Sequence, residues 1–419
     1  MADVAIIGSG FIGLSSAYWL MREGHNVTLF DPKGPGEGAS YGNAGTFANY
    51  ACIPVNNPSV FAGIPRFLLS AASPLRIRWE YMPTLAPWLM RFLLSSTPSR
   101  YRNSTEALAS LLSRAQEGYR DMLIDSSLLA FVQPRECLYL YSSKSAFEAS
   151  YPSLELRRSL GIEFDNLEKE AIQEYEPNLA PIFRQGTLFT GSWFLSDPRG
   201  FLQQLHASLI KKGMRHERNG IDQIDPMMTG VSISDDTGQK FEASHVVVCA
   251  GALSRRFAKQ CGDAIPLDTE RGYHVSFPGT ASLISRPCGW AERGFYMTPM
   301  ASGIRAAGTV ELGGFVDRKN EDLLGLIETS ARAALPNLGP SGEKWLGFRP
   351  SLPDGLPVIG TSHRSSRVVY AFGHQHLGLT LGGITGSVVA DLISGREPCI
   401  DLRRYSAKRF SHNTINHRF

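Results

Sequence analysis

The sequence predicts an α/β protein, a Rossmann-like nucleotide-binding domain interleaved with an α+β domain built on an antiparallel sheet. Three observations lead there. The chain opens on an apolar run, a glycine-rich turn and a helical run, all within its first 30 residues. Buried-strand patterns return much later, at 245–249 and 368–372. Between them, residues 270 to 315 alternate apolar and polar positions, as strands of an antiparallel sheet do.

The opening stretch carries the most information. Val4 to Ile7 reads as a buried parallel strand, and Gly8-Ser-Gly10-Phe-Ile-Gly13 fits G-x-G-x-x-G. Ile12 to Glu23 reads as a helix that Gly24 ends, and Asn26 to Phe30 as a second strand stopping at Asp31. In this setting Gly8 makes the tight turn and Gly10 admits a pyrophosphate to the backbone. Gly13 lets helix and strand pack closely, and Asp31 can bind a ribose hydroxyl. Residues 32 to 45 hold 5 glycines in 14 positions. Such a loop, placed just after the acid, suits a backbone lying along a large flat ligand.

Residues 54 to 98 are rich in Pro, Trp, Leu and Phe and read as short broken helices, with Pro65, Pro74, Pro83 and Pro87 opposing one long helix. The apolar stretch 61–95 carries Arg66, Arg76, Arg78 and Arg91, so it reads either as core or as a patch for a membrane surface or partner. Residues 104 to 123 read as one amphipathic helix, and Asp197-Pro198 starts another to about 211. Strands are expected at 221–231 and 241–249, the latter ending at Ala250-Gly251. Tyr273 to Phe277, Gly294 to Thr298 and Gly303 to Gly308 should form the antiparallel sheet, with a helix near 321–334. A buried strand, 368–372, leads through Gly373-His-Gln-His-Leu-Gly-Leu-Thr380 into a helix reaching about Ser394, then a polar tail. The expected division is 1–50, 197–260 and 345–395 for the nucleotide domain, 51–196 and 261–344 for the other, and 396–419 as tail.

Composition narrows the function. The 419 residues are 43% hydrophobic, and 42 basic against 39 acidic side chains leave a net charge of +3. No basic run interleaves with aromatics, so no nucleic-acid partner is expected. The 6 cysteines show no C-x-x-C spacing, which points to free thiols in a reducing compartment and to no metal site. The first strand begins at once, leaving no room for a signal peptide, and no apolar run is long enough to span a bilayer. A cytoplasmic protein is expected, with core as the first reading of 61–95 and a peripheral contact on the inner membrane as the alternative.

Taken together, these motifs resemble the D-amino-acid-oxidase superfamily of FAD enzymes, and within it the bacterial D-amino-acid dehydrogenase branch. The likeness rests on Gly8-x-Gly10-x-x-Gly13 with Asp31, Ala39 to Gly45, Ala250-Gly251, Gly347-Phe-Arg-Pro350, Pro353-Asp-Gly-x-Pro-x-x-Gly360 and Gly373 to Thr380. They run in the family's order over nearly the whole chain. The resemblance implies an FAD-binding domain of glutathione-reductase type. Gly8, Gly10, Gly13 and Asp31, with Phe11, Ile12 and Pro32 alongside, would hold the ADP half of FAD. Ala39, Ser40, Asn43, Ala44, Gly45 and Thr46 would lie along the ribityl chain and flavin ring. Ile221 would offer a backbone contact to adenine, and Ala250 and Gly251 would approach the pyrophosphate. Gly373, His374, Leu377, Gly378, Leu379 and Thr380 would border the flavin's pyrimidine edge, where a helix N-terminus favours negative charge.

The same resemblance makes Arg349 the partner of the substrate carboxylate, a role suited to a guanidinium fork. Tyr273 and His274 fall on the strand facing the flavin. Tyr273 could bond the carboxylate, and His274 could tune the protonation of the amine. Strand alternation lets only one of the two point inward. Tyr296 and Tyr41 are further pocket residues. His376 and Cys52 lie near the flavin stretches without matching an attachment pattern, so FAD is expected to be noncovalent. The implied reaction is dehydrogenation of a D-amino acid, with hydride passing from Cα to flavin N5 to give an imino acid, then a 2-oxo acid and ammonia. Oxidation of D-hydroxyproline, D-proline, sarcosine, glycine or an opine would use the same anchor. An electron-relay subunit would keep the cofactor motifs and lose Arg349. The electron acceptor is expected to be a quinone or the respiratory chain rather than oxygen.

Overall fold

The computed structural model describes residues 1–58 and 75–411. Its first large sheet has the strand order Arg215–Glu217, Asn26–Phe30, Asp3–Ile7, His245–Val248, Val368–Phe372, Val358–Thr361. All neighbours are parallel except the last pair. The central strands read as unbroken Val, Ile and Leu runs because helices or a second layer cover both faces. On one side the helices Phe11–Arg22 and Gly378–Ile393 press together, and Leu14, Leu29, Val247, Leu379 and Val389 join one buried cluster. The crossing is tight. A Cβ on Gly386 would stand 2.5 Å from the Ser15 carbonyl oxygen.

The second large sheet runs Lys344–Ser351, Asp268–Pro278, Gly303–Leu312, Phe295–Met300, Cys288–Trp290, Cys137–Tyr141, Gln185–Phe189, Phe164–Glu168. Leu75–Ile77 pairs in parallel with the end of the Gly303–Leu312 strand. The helix Glu321–Ala334, capped by the Asn320 side chain, buries Leu323, Leu324 and Ile327 against one face of this sheet. The other face looks toward the first domain and carries the site.

Four local expectations need correction. Met82–Ser95 is one helix despite its prolines. Pro83 lies in the first turn, where no intrahelical donor is needed, so only Pro87 removes a hydrogen bond, and burial of Leu85 and Trp88 holds the helix together. Residues 61–74 of the proposed surface patch lie outside the described residues. The expected helix over 104–123 is two, Pro98–Leu112 and Ala115–Asp125. The break lets Leu108 and Leu111 enter one core cluster while Tyr119 and Met122 enter another.

The expected strand 221–231 is a hairpin, Ile221–Pro226 with Val231–Asp235, and 241–249 divides at Ser244. Lys240–Ala243 completes the hairpin sheet, while His245–Val248 enters the first large sheet. Finally, residues 396–411 are not a loose tail. Tyr405 is buried and donates to the Ala107 carbonyl at 2.6 Å, and Arg409 pairs with Asp354. Residues 412–419 lie outside the described residues. The cysteines are all unpaired, and five of them are buried.

Candidate active site

The glycine-rich turn is built as its spacing requires. Gly8 has φ +112°, and a Cβ on Gly13 would stand 1.8 Å from the Gly8 carbonyl oxygen. Phe11 is buried in the core and Ile12 partly so, which leaves their backbone to face a ligand. Asp31 does not stand free for a ribose. One carboxylate oxygen accepts from the Ser9 N–H (2.9 Å) and hydroxyl (2.8 Å), the other from the Lys33 N–H (2.9 Å). It therefore also braces the turn against the following loop. Pro32 is exposed beside it. The Ile221 carbonyl is already engaged by Arg256, and its side chain is core. Gly251, after Ala250, has φ +58° and open space where a Cβ would point.

From this turn the loop 39–46 crosses to the second sheet. Ser40 Oγ accepts from the Phe11 N–H at 3.3 Å, and Asn43 Oδ1 accepts from the Gly45 N–H at 2.7 Å. At the far end Arg305 donates to the carbonyls of Tyr41 (3.0 Å) and Asn43 (2.8 Å). Ala44 is half-buried between these ties. Ala48 N–H then donates to Thr380 Oγ1 at 3.0 Å, linking the loop to the start of the Gly378–Ile393 helix. Leu377 and Leu379 are buried, while Gly378 faces open space. The His374 side chain turns inward and bonds Thr385 Oγ1 at 3.0 Å, so only its backbone, with that of Gly373, can face a ligand. Burial pushes its pKa down to about 3.

The floor of the site is a ladder of three cross-strand pairs, Glu270 with Arg349, Gly272 with Gly347, and His274 with Trp345. The glycines lower the middle of the floor, and the large side chains lie over it. Arg349 crosses Gly272 and donates to the Thr309 carbonyl at 3.0 Å. Burial pulls the Arg349 pKa down against the pull of Glu270, and a guanidinium stays charged under such a shift. The indole of Trp345 stacks on His274 with 5.1 Å between centroids, and Tyr41 packs 6.1 Å from the indole. His274 is fully buried, and burial with Arg305 nearby lowers its pKa to about 3, so it is neutral.

The alternation resolves the Tyr273–His274 pair. His274 faces the loop 39–46, while Tyr273 faces the opposite side, where its hydroxyl donates to buried Glu311 at 2.5 Å. Tyr273 is therefore a core residue and does not reach Arg349's face. Tyr296 shares the face of His274 and bonds Tyr139. The sequence reading missed Arg305. A lone cation inside the apolar strand Gly303–Leu312 was the signal for it.

Some of the buried polar atoms that lack a hydrogen-bond partner among the described residues lie between the loop and the sheet. They include Thr46 Oγ1, Asn49 Oδ1, both ring nitrogens of His274, Thr298 Oγ1 and Thr309 Oγ1. Each would cost about 1–3 kcal/mol if it stayed unsatisfied. These atoms, with the open helix start at Gly378, fit a long polar cofactor reaching from Gly10 to Arg349.

Comparison with known proteins agrees with this geometry. A family model described as FAD dependent oxidoreductase matches residues 3–392. The chain is 34% identical to a D-amino-acid oxidase of Bradyrhizobium diazoefficiens, over 97% of this chain and 98% of that one. It is 30% identical to a D-amino acid dehydrogenase of Paramagnetospirillum magneticum, over 97% and 99%. Its fold is similar to that of glycine oxidase from Geobacillus kaustophilus, with TM-score 0.75, 22% identity and coverage of 98% and 99%.

Proposed function

From the premise that this chain belongs to the DAO family of FAD-dependent oxidoreductases, we propose that it dehydrogenates D-amino acids, releasing an imino acid that water converts to a 2-oxo acid and ammonia. The observation that carries this reading is Arg349. It is a charged guanidinium, half-buried, with one protein carbonyl as its hydrogen-bond partner, lying on the sheet face that looks at the cofactor seam. Such a group is made for a carboxylate. Relatives at 34% and 30% identity that bear D-amino acid oxidase and dehydrogenase names support the substrate class.

FAD when bound supplies the hydride acceptor. The chain's residues do the rest by positioning. Arg349 fixes the carboxylate, which turns Cα–H of the substrate toward the loop 39–46. Neutral His274 and the Trp345 indole wall the site and add no second charge near the amine, which must lose its proton before hydride can leave. Gly8, Gly10, Gly13, Ser40 and the open helix start at Gly378 would hold the cofactor noncovalently. Acid precipitation should release it intact into the supernatant.

For the electron acceptor we propose a quinone or respiratory-chain partner. Support comes from the described part of the apolar stretch, where Trp79, Met90 and Leu94 are exposed near Arg78 and Arg91. Among the described residues no helix is long and apolar enough to cross a membrane, so such a contact would be peripheral. The substrate assignment is tested by assaying 2-oxo acid and ammonia from paired D- and L-amino acids. Equal yields from both enantiomers, or none from either, would refute it.

A further inference from the structure

We propose that His376 is a second substrate contact, standing beside Arg349 so that its imidazole hydrogen-bonds the substrate carboxylate and restricts the site to substrates with a single carboxylate. The proposal rests on Arg349 being the carboxylate anchor.

The backbone is set for this. Gln375 has φ +52°, a left-handed conformation unfavourable for a side chain other than glycine. Two bonds hold it there. Its N–H donates to the Pro350 carbonyl at 3.0 Å, and its side-chain amide to the Leu352 carbonyl at 3.3 Å. The first of these ties the turn to the residue next to Arg349. On either side of Gln375 the chain points inward, with His374 bonded to Thr385 and Leu377 in the core. His376 alone is exposed.

Protein crowding around the imidazole and the charge of Arg349 push its pKa down to about 4. A surface histidine in free solvent would keep its ordinary value. A neutral imidazole carries one N–H donor and no charge. It can add a hydrogen bond to a carboxylate already held by Arg349, and it gives a second carboxylate no cation to pair with. Arg305, the other guanidinium of this face, is committed to the loop carbonyls of Tyr41 and Asn43.

The test uses the FAD-loaded protein and two unreactive probes, acetate and malonate. Binding is followed by perturbation of the visible flavin band, so no turnover is needed. His376→Asn should weaken acetate binding about tenfold, the scale of one hydrogen bond to a charged group. His376→Arg should bind malonate at least about tenfold more tightly than the wild type, by supplying the missing fork. Unchanged acetate affinity in His376→Asn, or unchanged malonate affinity in His376→Arg, would overturn the proposal. If the wild type binds acetate through His376 yet oxidises no amino acid, the D-amino acid reading fails and this inference stands. If Arg349→Ala binds acetate as the wild type does, both fall.

Discussion

The guanidinium of Arg349 lies on Gly272: a Cβ at position 272 would stand 2.4 Å from its Cζ. Only a residue without a side chain lets the arginine cross the strand and reach the Thr309 carbonyl. Gly272→Ala should therefore lift Arg349 from its bed and leave the distant dinucleotide turn untouched. The expected loss in kcat/KM is about 100-fold, or about 2.7 kcal/mol of transition-state stabilisation, with FAD content unchanged. Steady-state kinetics beside cofactor quantitation would check it.

Arg349→Lys separates charge from shape. Lysine keeps the positive charge and loses the planar fork that meets both carboxylate oxygens. The expected result is a KM raised about tenfold or more and slower flavin reduction at saturating substrate, since a point charge orients Cα–H poorly. Rapid-mixing measurement of the reductive step would resolve the two effects. Wild-type rates in this variant would show that geometry at Arg349 does not matter.

Much of this arrangement was legible in the sequence. The turn Gly8 to Gly13 follows from local spacing, whereas Arg349 was singled out by the family resemblance of Gly347-Phe-Arg-Pro350. Alternation showed that only one of Tyr273 and His274 could face the site. It could not show which, because alternation says which residues share a face and not which face meets the site, and the sink for the Tyr273 hydroxyl, Glu311, lies 38 residues away. Arg305 was missed for a related reason. Its partners are backbone carbonyls of Tyr41 and Asn43, over 260 residues away, and no side-chain pattern records a carbonyl. The single helix Met82–Ser95 was misread because its prolines look alike in sequence, although one of them costs the helix nothing.

Acid should destabilise the fold in part through His374. Its folded pKa, about 3, lies below the ordinary value of 6.5 because the ring is buried. The unfolded chain therefore takes up the proton first. Its contribution to stability is fully present above pH 6.5 and is lost as pH falls toward 3, with a slope of at most about 1.4 kcal/mol per pH unit. His374→Gln should be less stable than the wild type at pH 7, having lost the fitted bond to Thr385. It should lose less stability between pH 7 and pH 5. Urea unfolding at the two pH values would check this, and parallel acid limbs would contradict it.

The helix Met82–Ser95 offers a test of the proposed membrane-side acceptor. Met90 and Leu94 are exposed to 59% and 53%, with Trp79 at 65% nearby. The wild type should co-sediment with anionic lipid vesicles, and the double change Met90→Ser with Leu94→Ser should shift it toward the supernatant without altering substrate-driven flavin reduction. Full recovery of the wild type in the supernatant would contradict a lipid contact.

The central claim is that Arg349 orients a D-amino acid for loss of hydride from Cα. The most direct test is anaerobic bleaching of the flavin band of the purified protein by a panel of D- and L-amino acids, D-proline, hydroxyprolines and N-substituted amino acids, run beside Arg349→Ala. The account predicts rapid bleaching by D-amino acids, none by their L forms, and loss of the response in Arg349→Ala. Flavin that dithionite reduces but no member of the panel bleaches would contradict it, as would an Arg349→Ala protein that bleaches like the wild type.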